Sequence, residues 1–483
     1  MNYTELIVFI CYFVFMLGIG LFFFFRSKDS GEKDFFLGGR QMGAWVSALS
    51  AGASDMSAWV LMGLPASIYA AGMGQTWIAI GLAIGYAASW IFEAPRLRRF
   101  SIAAKDSITI PQYLTNRFLS GSKVLQLLCA VIFLVAYTIY AASSIKACGT
   151  LFNTVMNIDA TVAMYIAAFI IIAYTFLGGF SAVCWTDFFQ GLLMLGALLI
   201  APIFAMSLVN SGSGAVAATQ LPDGYFKFWT SWQDVASGLG WGLGYFGMPH
   251  IIIRFMSLKS EKELKKSSVI GISWTVIILL MSVLSGVVGR MFLGDIEDSS
   301  VVFITMTRKI FPALISGVLL SAILSAAMST ADSQLLASAS SFANDVYKPI
   351  FRKNASNKEM LWASRLIVAA IAVVALIIAA NPNSGTIMAL VENAWGVFGA
   401  AFGPVILLSL FWKRFTFSGA VAGIAVGALV DILWLALCSG TGLYEIIPGF
   451  AAGLIAAVVV SLCSPAPSKE VEELFEQASK PEM

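Results

Sequence analysis

At 483 residues the chain is 59% hydrophobic and only 12% charged, with a formal net charge of +2, whereas soluble domains carry roughly 25% charged residues. So few polar side chains cannot clothe a water-facing surface, which excludes a soluble protein, and the small net charge argues against nucleic acid or another polyanion as a partner. Six cysteines without a CxxC pair and the single histidine, His250, argue against a disulfide framework and exclude a multi-histidine metal site.

A bilayer core of about 30 Å is crossed by about 20 mostly apolar residues. Thirteen stretches qualify, near residues 5–25, 44–71, 75–93, 124–151, 161–178, 183–208, 230–253, 268–293, 311–340, 362–380, 386–411, 416–438 and 444–463. The first is too long for a signal-peptide core and reads as a retained span. Basic residues set the orientation. Arg26, Lys28, Lys33 and Arg40 follow the first span, Arg96, Arg98, Arg99, Lys105 and Arg117 the third, and Lys259, Lys262, Lys265 and Lys266 the seventh. Lys348, Arg352, Lys353 and Lys358 after the ninth span and Lys413 with Arg414 after the eleventh keep the same parity. The N-terminus is therefore expected outside. The acidic tail, 464–483, is expected in the cytoplasm as a solvated helix or disordered chain. The connection 94–123 contains TIPQYLTNRF and is expected to form a short interfacial helix.

The second span, SALSAGASDMSAWVLMGLP, is a poor lipid-facing helix. At about 100° per residue, Ser47, Ser50, Ser54 and Ser57 share one face, interleaved with Ala51, Gly52 and Ala53. An ion could approach the backbone there; small hydroxyl residues also serve as helix-packing surface, a reading that competes for each serine taken singly. Asp55 sits mid-span, where a carboxylate costs about 2.5–3.5 kcal/mol and needs a partner or a wet cavity. Asp187 and Gln190 open the sixth span; an ion path and simple stabilisation by the helix dipole both account for Asp187.

The seventh span holds SGLGWGLGYFGMPH, whose five glycines and Pro249 predict an interrupted helix. Where it is helical, Trp241, Tyr245 and Pro249 would share a face and offer an apolar wall with polar tips to a small ring-shaped solute. Two broken spans five apart point to an inverted-repeat transporter with its site between the repeats. The repeats would be spans 2–6, about 44–208, and spans 7–11, about 230–411, within one membrane domain over 1–463. In the ninth span Ser321, Ser325, Ser329 and Ser333 form a stripe beside Thr330 and Asp332, hydroxyls that either complete an oxygen cage for a hard cation or bond their own helix carbonyls. Glu392 and Asp431 also lie in apolar runs, with no role evident from the sequence. No filter motif speaks for a channel, and no nucleophile–base constellation speaks for an enzyme.

These three segments, with LGGR around Arg40, TIYAAS around Tyr140, FLGGFSAVCWTD, FGAAFGPVILLSLFW and GLYEIIPGF, make the chain similar to the sodium/solute symporter family, and within it to bacterial sodium/proline symporters. The resemblance implies an all-α polytopic membrane protein of the LeuT type, with thirteen transmembrane helices as a five-plus-five inverted repeat and flanking helices. It implies uptake of L-proline across a bacterial cytoplasmic membrane by alternating access, with Na+ as coupling ion, no organic cofactor and no obligatory protein partner. Sodium symport of pantothenate or a sugar is the alternative within the class. Its sodium site maps onto Ala53, Met56, Ala326, Ser329 and Thr330, the first three through carbonyls. Coupling roles map onto Asp55, Asp187, Arg40 and Ser50, and substrate roles onto Ser57, Trp59, Tyr140, Trp241, Tyr245 and Pro249. Ala58, Gln75 and Met248 depart from the proline-symporter pattern, and Met248 bears most directly on substrate preference.

Overall fold

The computed structural model describes residues 2–26, 37–177, 180–212 and 221–480. Lys28 and Lys33 of the orientation argument lie outside the described residues, as do Gly178 and Gly179 of the LGGF loop. In lipid every backbone N–H and C=O must be satisfied within its own segment, which favours helices. The long elements are α1 (Tyr3–Arg26), then a second span in two halves, α2 (Ala44–Asp55) and α3 (Gly63–Ala71). Next comes α4, Thr76–Ala88, continued through a π turn at Ser89–Glu93 into Ala94–Ala103. The short α5 (Ile110–Arg117) leads to α6 (Val124–Met156), α7 (Ala160–Leu177) and α8 (Phe180–Asn210). The seventh span is again halved, into α9 (Trp232–Gly240) and α10 (Pro249–Ser257), followed by α11 (Glu261–Leu293), the short α12 (Val302–Ile310), α13 (Ala313–Ser341), α14 (Asn357–Ala380), α15 (Ile387–Phe411), α16 (Phe417–Cys438) and α17 (Ile446–Cys463). Among the described residues ten helices are individually long and apolar enough to cross a membrane. Of the thirteen expected spans, the second and seventh are present as half-helices and the fifth as the apolar α7.

Both breaks have local causes. At Met56 the backbone leaves the helix (φ −79°, ψ 73°), Ser57 is extended, and its side chain caps the 3-10 turn Ala58–Val60. In the seventh span a 3-10 turn covers Trp241–Phe246, Met248 is extended, and Pro249 starts α10, where its missing N–H costs nothing. The 3-10 turn removes the helical spacing that would have put Trp241, Tyr245 and Pro249 on one stripe. The glycines serve a different purpose from the one expected. None in this span has a positive φ. A Cβ on Gly81 would collide with the Gly238 carbonyl, and one on Gly85 with the Gly242 carbonyl, so α4 crosses the seventh span backbone to backbone. Gly244 likewise leaves room for the Trp395 indole.

Helices α8, α10, α11 and α13 all pack on α2, which leaves the first break wholly inside protein, the condition for irregular backbone at membrane depth. Large apolar side chains such as Ile7, Val14, Phe169, Leu280, Ile377 and Ile455 point outward, 60% or more exposed, as lipid-facing residues do. Arg290 and Arg308 pair with Asp295 and Glu5, away from the end at which Arg96, Arg99, Arg117 and Lys413 gather. There the tail forms a helix, α18 (Lys469–Ser479), as expected, but it is docked rather than solvated. Lys413 bonds Glu472 at 3.0 Å and Glu476 at 2.7 Å. Arg117 reaches the Val471 carbonyl at 3.5 Å and Arg99 the Ala478 carbonyl at 3.2 Å. The Phe475 ring lies on Phe100, with the Arg96 and Arg117 guanidiniums over it. The short helix expected in the connection 94–123 is present as α5, capped by the Thr109 side chain.

Candidate functional site

The first break faces α13. The Ser329 hydroxyl donates to the Ala53 carbonyl at 2.7 Å and lies 3.2 Å from the Ala326 carbonyl. Next to it, the Thr330 hydroxyl is buried without a hydrogen-bond partner. Met56 ends α2 in the same turn, so all five residues proposed for sodium gather where that helix stops. A hydroxyl, an orphaned hydroxyl and carbonyls released from the helix ladder are the oxygen donors that suit a hard cation.

In the same turn, Asp55, the last residue of α2, is fully buried. Its Oδ2 accepts the Tyr245 hydroxyl proton at 2.6 Å, and its Oδ1 has no partner. The Asp55 carbonyl accepts from Trp59 Nε1 at 3.3 Å. Tyr140 is buried against Ser57 and Trp59 with its hydroxyl unpaired. Tyr245 is held edge-on between Tyr86 and Trp395, at ring distances of 5.2 and 5.0 Å. Trp395 Nε1 donates to the Trp241 carbonyl at 2.8 Å, and the Trp241 ring faces Tyr444 at 5.1 Å. Ser57, Trp59, Tyr140 and Tyr245 therefore converge around Asp55. Trp241 joins them through Trp395, and Pro249 stands at the start of α10, which packs on α2.

A second polar centre lies beside the C-terminal half of α2. Asp187 Oδ2 accepts from Ser50 at 2.7 Å, Ser54 at 2.9 Å and Arg254 Nη2 at 3.1 Å. Arg254 also donates to Ser50 at 3.2 Å, Ser54 at 2.7 Å and Ser333 at 2.6 Å, and to the His250 carbonyl. Asp187 and Arg254 are both buried, and the pair is therefore costly to form and more costly to break. Asp187 is the eighth residue of α8, beyond the first turn, and it is this guanidinium that holds its charge. Gln190 turns away to the Tyr12 hydroxyl at 2.9 Å. Arg40 stands apart, bonded to Asp106, Ser101, the Met256 carbonyl and the Ser107 carbonyl at 2.6–3.1 Å, so it ties α10 to the loop after α4. Arg254, Trp395 and Tyr86 had no part in the sequence-based assignment. An arginine inside an apolar run was the available signal for the first.

The chain matches the profile of the sodium:solute symporter family over residues 35–427. Its curated relatives include the high-affinity proline transporter PutP of Bacillus subtilis, 44% identical over 467 residues that cover 95% of this chain and 98% of that protein. The sodium/proline symporter of Haemophilus influenzae is 41% identical, covering 99% and 98%. Among solved structures, a Na+-coupled sialic acid symporter in a substrate-bound outward-open state superposes with a TM-score of 0.78 at 20% identity, covering 97% of this chain and 99% of that one. The architecture is the LeuT-type transporter fold. The chain belongs to the sodium:solute symporter family; it is a multi-pass membrane transporter and not an enzyme.

Proposed function

We propose that this protein carries L-proline across a bacterial cytoplasmic membrane together with sodium. The single observation behind the sodium part is Ser329, whose hydroxyl already bridges α13 to the Ala53 carbonyl at the broken turn. Sodium entering there would take the carbonyls of Ala53, Met56 and Ala326 with the hydroxyls of Ser329 and Thr330. It would so join the broken turn of α2 to α13. Asp55 lies between this cage and the aromatic pocket. Its free oxygen supplies negative charge in a low-dielectric interior, where that charge acts strongly on an approaching cation. Proline would lie against Trp59, Tyr140, Trp241 and Tyr245, beside Ser57 and Pro249. Its identity rests on the names of the full-length relatives. Below the cage, Arg254, which holds Ser50 and Asp187, borders a crevice lined also by Phe180, Ile253 and Ser333, an exit for the ion.

The repeats run over about 44–208 and 230–411, and rocking of one bundle against the other alternates access. The end bearing Arg96, Arg99, Arg117, Lys259 and Lys413 faces the cytoplasm with the tail, and the N-terminus lies outside. One sodium ion moving inward gains about 2.3 kcal/mol per 100 mV, and a tenfold gradient adds about 1.4 kcal/mol. Together these support accumulation of an uncharged solute by on the order of a few hundredfold. The test is uptake of radiolabelled proline into proteoliposomes with sodium or potassium outside, and with unlabelled pantothenate or sugar as competitor. Uptake indifferent to sodium, or displaced by the competitors and not by proline, would overturn this reading.

A further inference from the structure

Far along the chain three carboxylates converge, two from helices and one from the residue that precedes a third. Asp431 on α16 is 1% exposed, and neither of its oxygens has a hydrogen-bond partner. Glu445, the residue before α17, is 6% exposed and its Oε1 is likewise unpartnered. Both reach the same point. The position of a Cβ on Gly396 of α15 lies 2.9 Å from Asp431 Oδ1 and 3.4 Å from Glu445 Cγ. Glu392, one turn earlier on α15, is the third. Among the described residues none of the three has an ion-pair partner.

The surrounding elements bring no cation to them. Helix α6 contributes Lys146, which donates to Ser384 and the Gly385 carbonyl, and α9 contributes Asp234, exposed in its first turn. The remaining titratable groups that face the cluster are Tyr444 and, beyond it, Tyr140. Two like charges this close, away from water and without a counter-ion, do not both ionise. A resident metal is disfavoured, because among the described residues no three acidic, histidine or cysteine side chains stand close enough to hold one.

We propose that Asp431 and Glu445 form a proton-binding carboxyl pair at the junction of α15, α16 and α17, holding one exchangeable proton between them. The pair adjoins the transport machinery. Tyr444, next to Glu445, donates to the Glu392 carbonyl at 2.8 Å and packs its ring on Trp241. Loss of the proton sets two anions against each other beside Tyr444, whose ring packs on that indole, so outside pH acts on the aromatic wall through Tyr444.

The experiment is infrared difference spectroscopy on the purified full chain in lipid between pH 5 and pH 9, without substrate, on wild type, Asp431→Asn, Glu445→Gln and Glu392→Gln. A carboxylic-acid carbonyl band that titrates in wild type should disappear or shift in both Asp431→Asn and Glu445→Gln and persist in Glu392→Gln. Thermal stability should fall as pH rises in wild type and fall less in the first two variants. A titrating band unchanged in both of those variants overturns the proposal. So does displacement of the band by sodium or potassium at fixed pH, which would make the site one for a monovalent cation. Should one variant fail to fold, the other carries the same reading.

Discussion

Replacing Arg254 by methionine keeps most of the side-chain volume and removes the guanidinium donors that hold the second polar centre. Asp187 then keeps only the hydroxyls of Ser50 and Ser54, as a carboxylate buried with no counter-charge. Breaking a buried pair from one side costs about 3–5 kcal/mol, on the order of a 10 °C fall in unfolding temperature. Asp187→Asn alone leaves the guanidinium unpaired and should cost a similar amount. The double variant removes both charges and should lose clearly less than the two singles together, by at least about 2 kcal/mol, since residues in one network are not additive. Unfolding of the four proteins, followed by intrinsic fluorescence in one detergent, measures this coupling. Additive losses would refute the argument, because they would mean that water or lipid headgroups already compensate the two charges.

Ser329→Ala deletes the hydroxyl that bridges Ala53 and Ala326, and should raise the sodium concentration for half-maximal uptake by about tenfold, about 1.4 kcal/mol, with protein abundance in the membrane unchanged; an unaltered sodium dependence counts against the cage. Gly85→Leu cannot be accommodated against the Gly242 carbonyl, and should lower thermal stability by more than the 1–3 kcal/mol or so typical of overpacking, whereas Gly196→Leu, with open space around it, should leave it unchanged. Removing 469–483 should expose Arg96, Arg99 and Arg117 and speed tryptic cleavage at that face, read by mass spectrometry against the full chain.

The spans and their two breaks are legible in the sequence because the bilayer imposes a length and the breaks need particular residues, Asp55 with small neighbours in one case and Pro249 in the other. The purpose of the glycines is not. Gly238 and Gly242 read as helix breakers, and only their register against Gly81 and Gly85 shows a crossing. Arg254 escapes because an apolar count ends the seventh span near 253, while α10 continues to Ser257 and carries the guanidinium inward. Its partner, Asp187, is 67 residues away, a pairing that no local pattern encodes. Trp395 is hidden differently. In an apolar run it looks like any packing residue, and its bond to the Trp241 carbonyl depends on Gly244 leaving it room. The tail shows its amphipathic spacing at Val471, Phe475 and Ala478, but the surface it covers comes from three distant segments.

That last docking bears on how the positive face is kept covered. Helix α18 lays Phe475 against the Phe100 ring and under the guanidiniums of Arg96 and Arg117, while its Glu472 and Glu476 answer Lys413. The segment thus works as a detachable cover: a cut between Cys463 and Lys469 would leave every membrane helix in place and still bare arginines at that face.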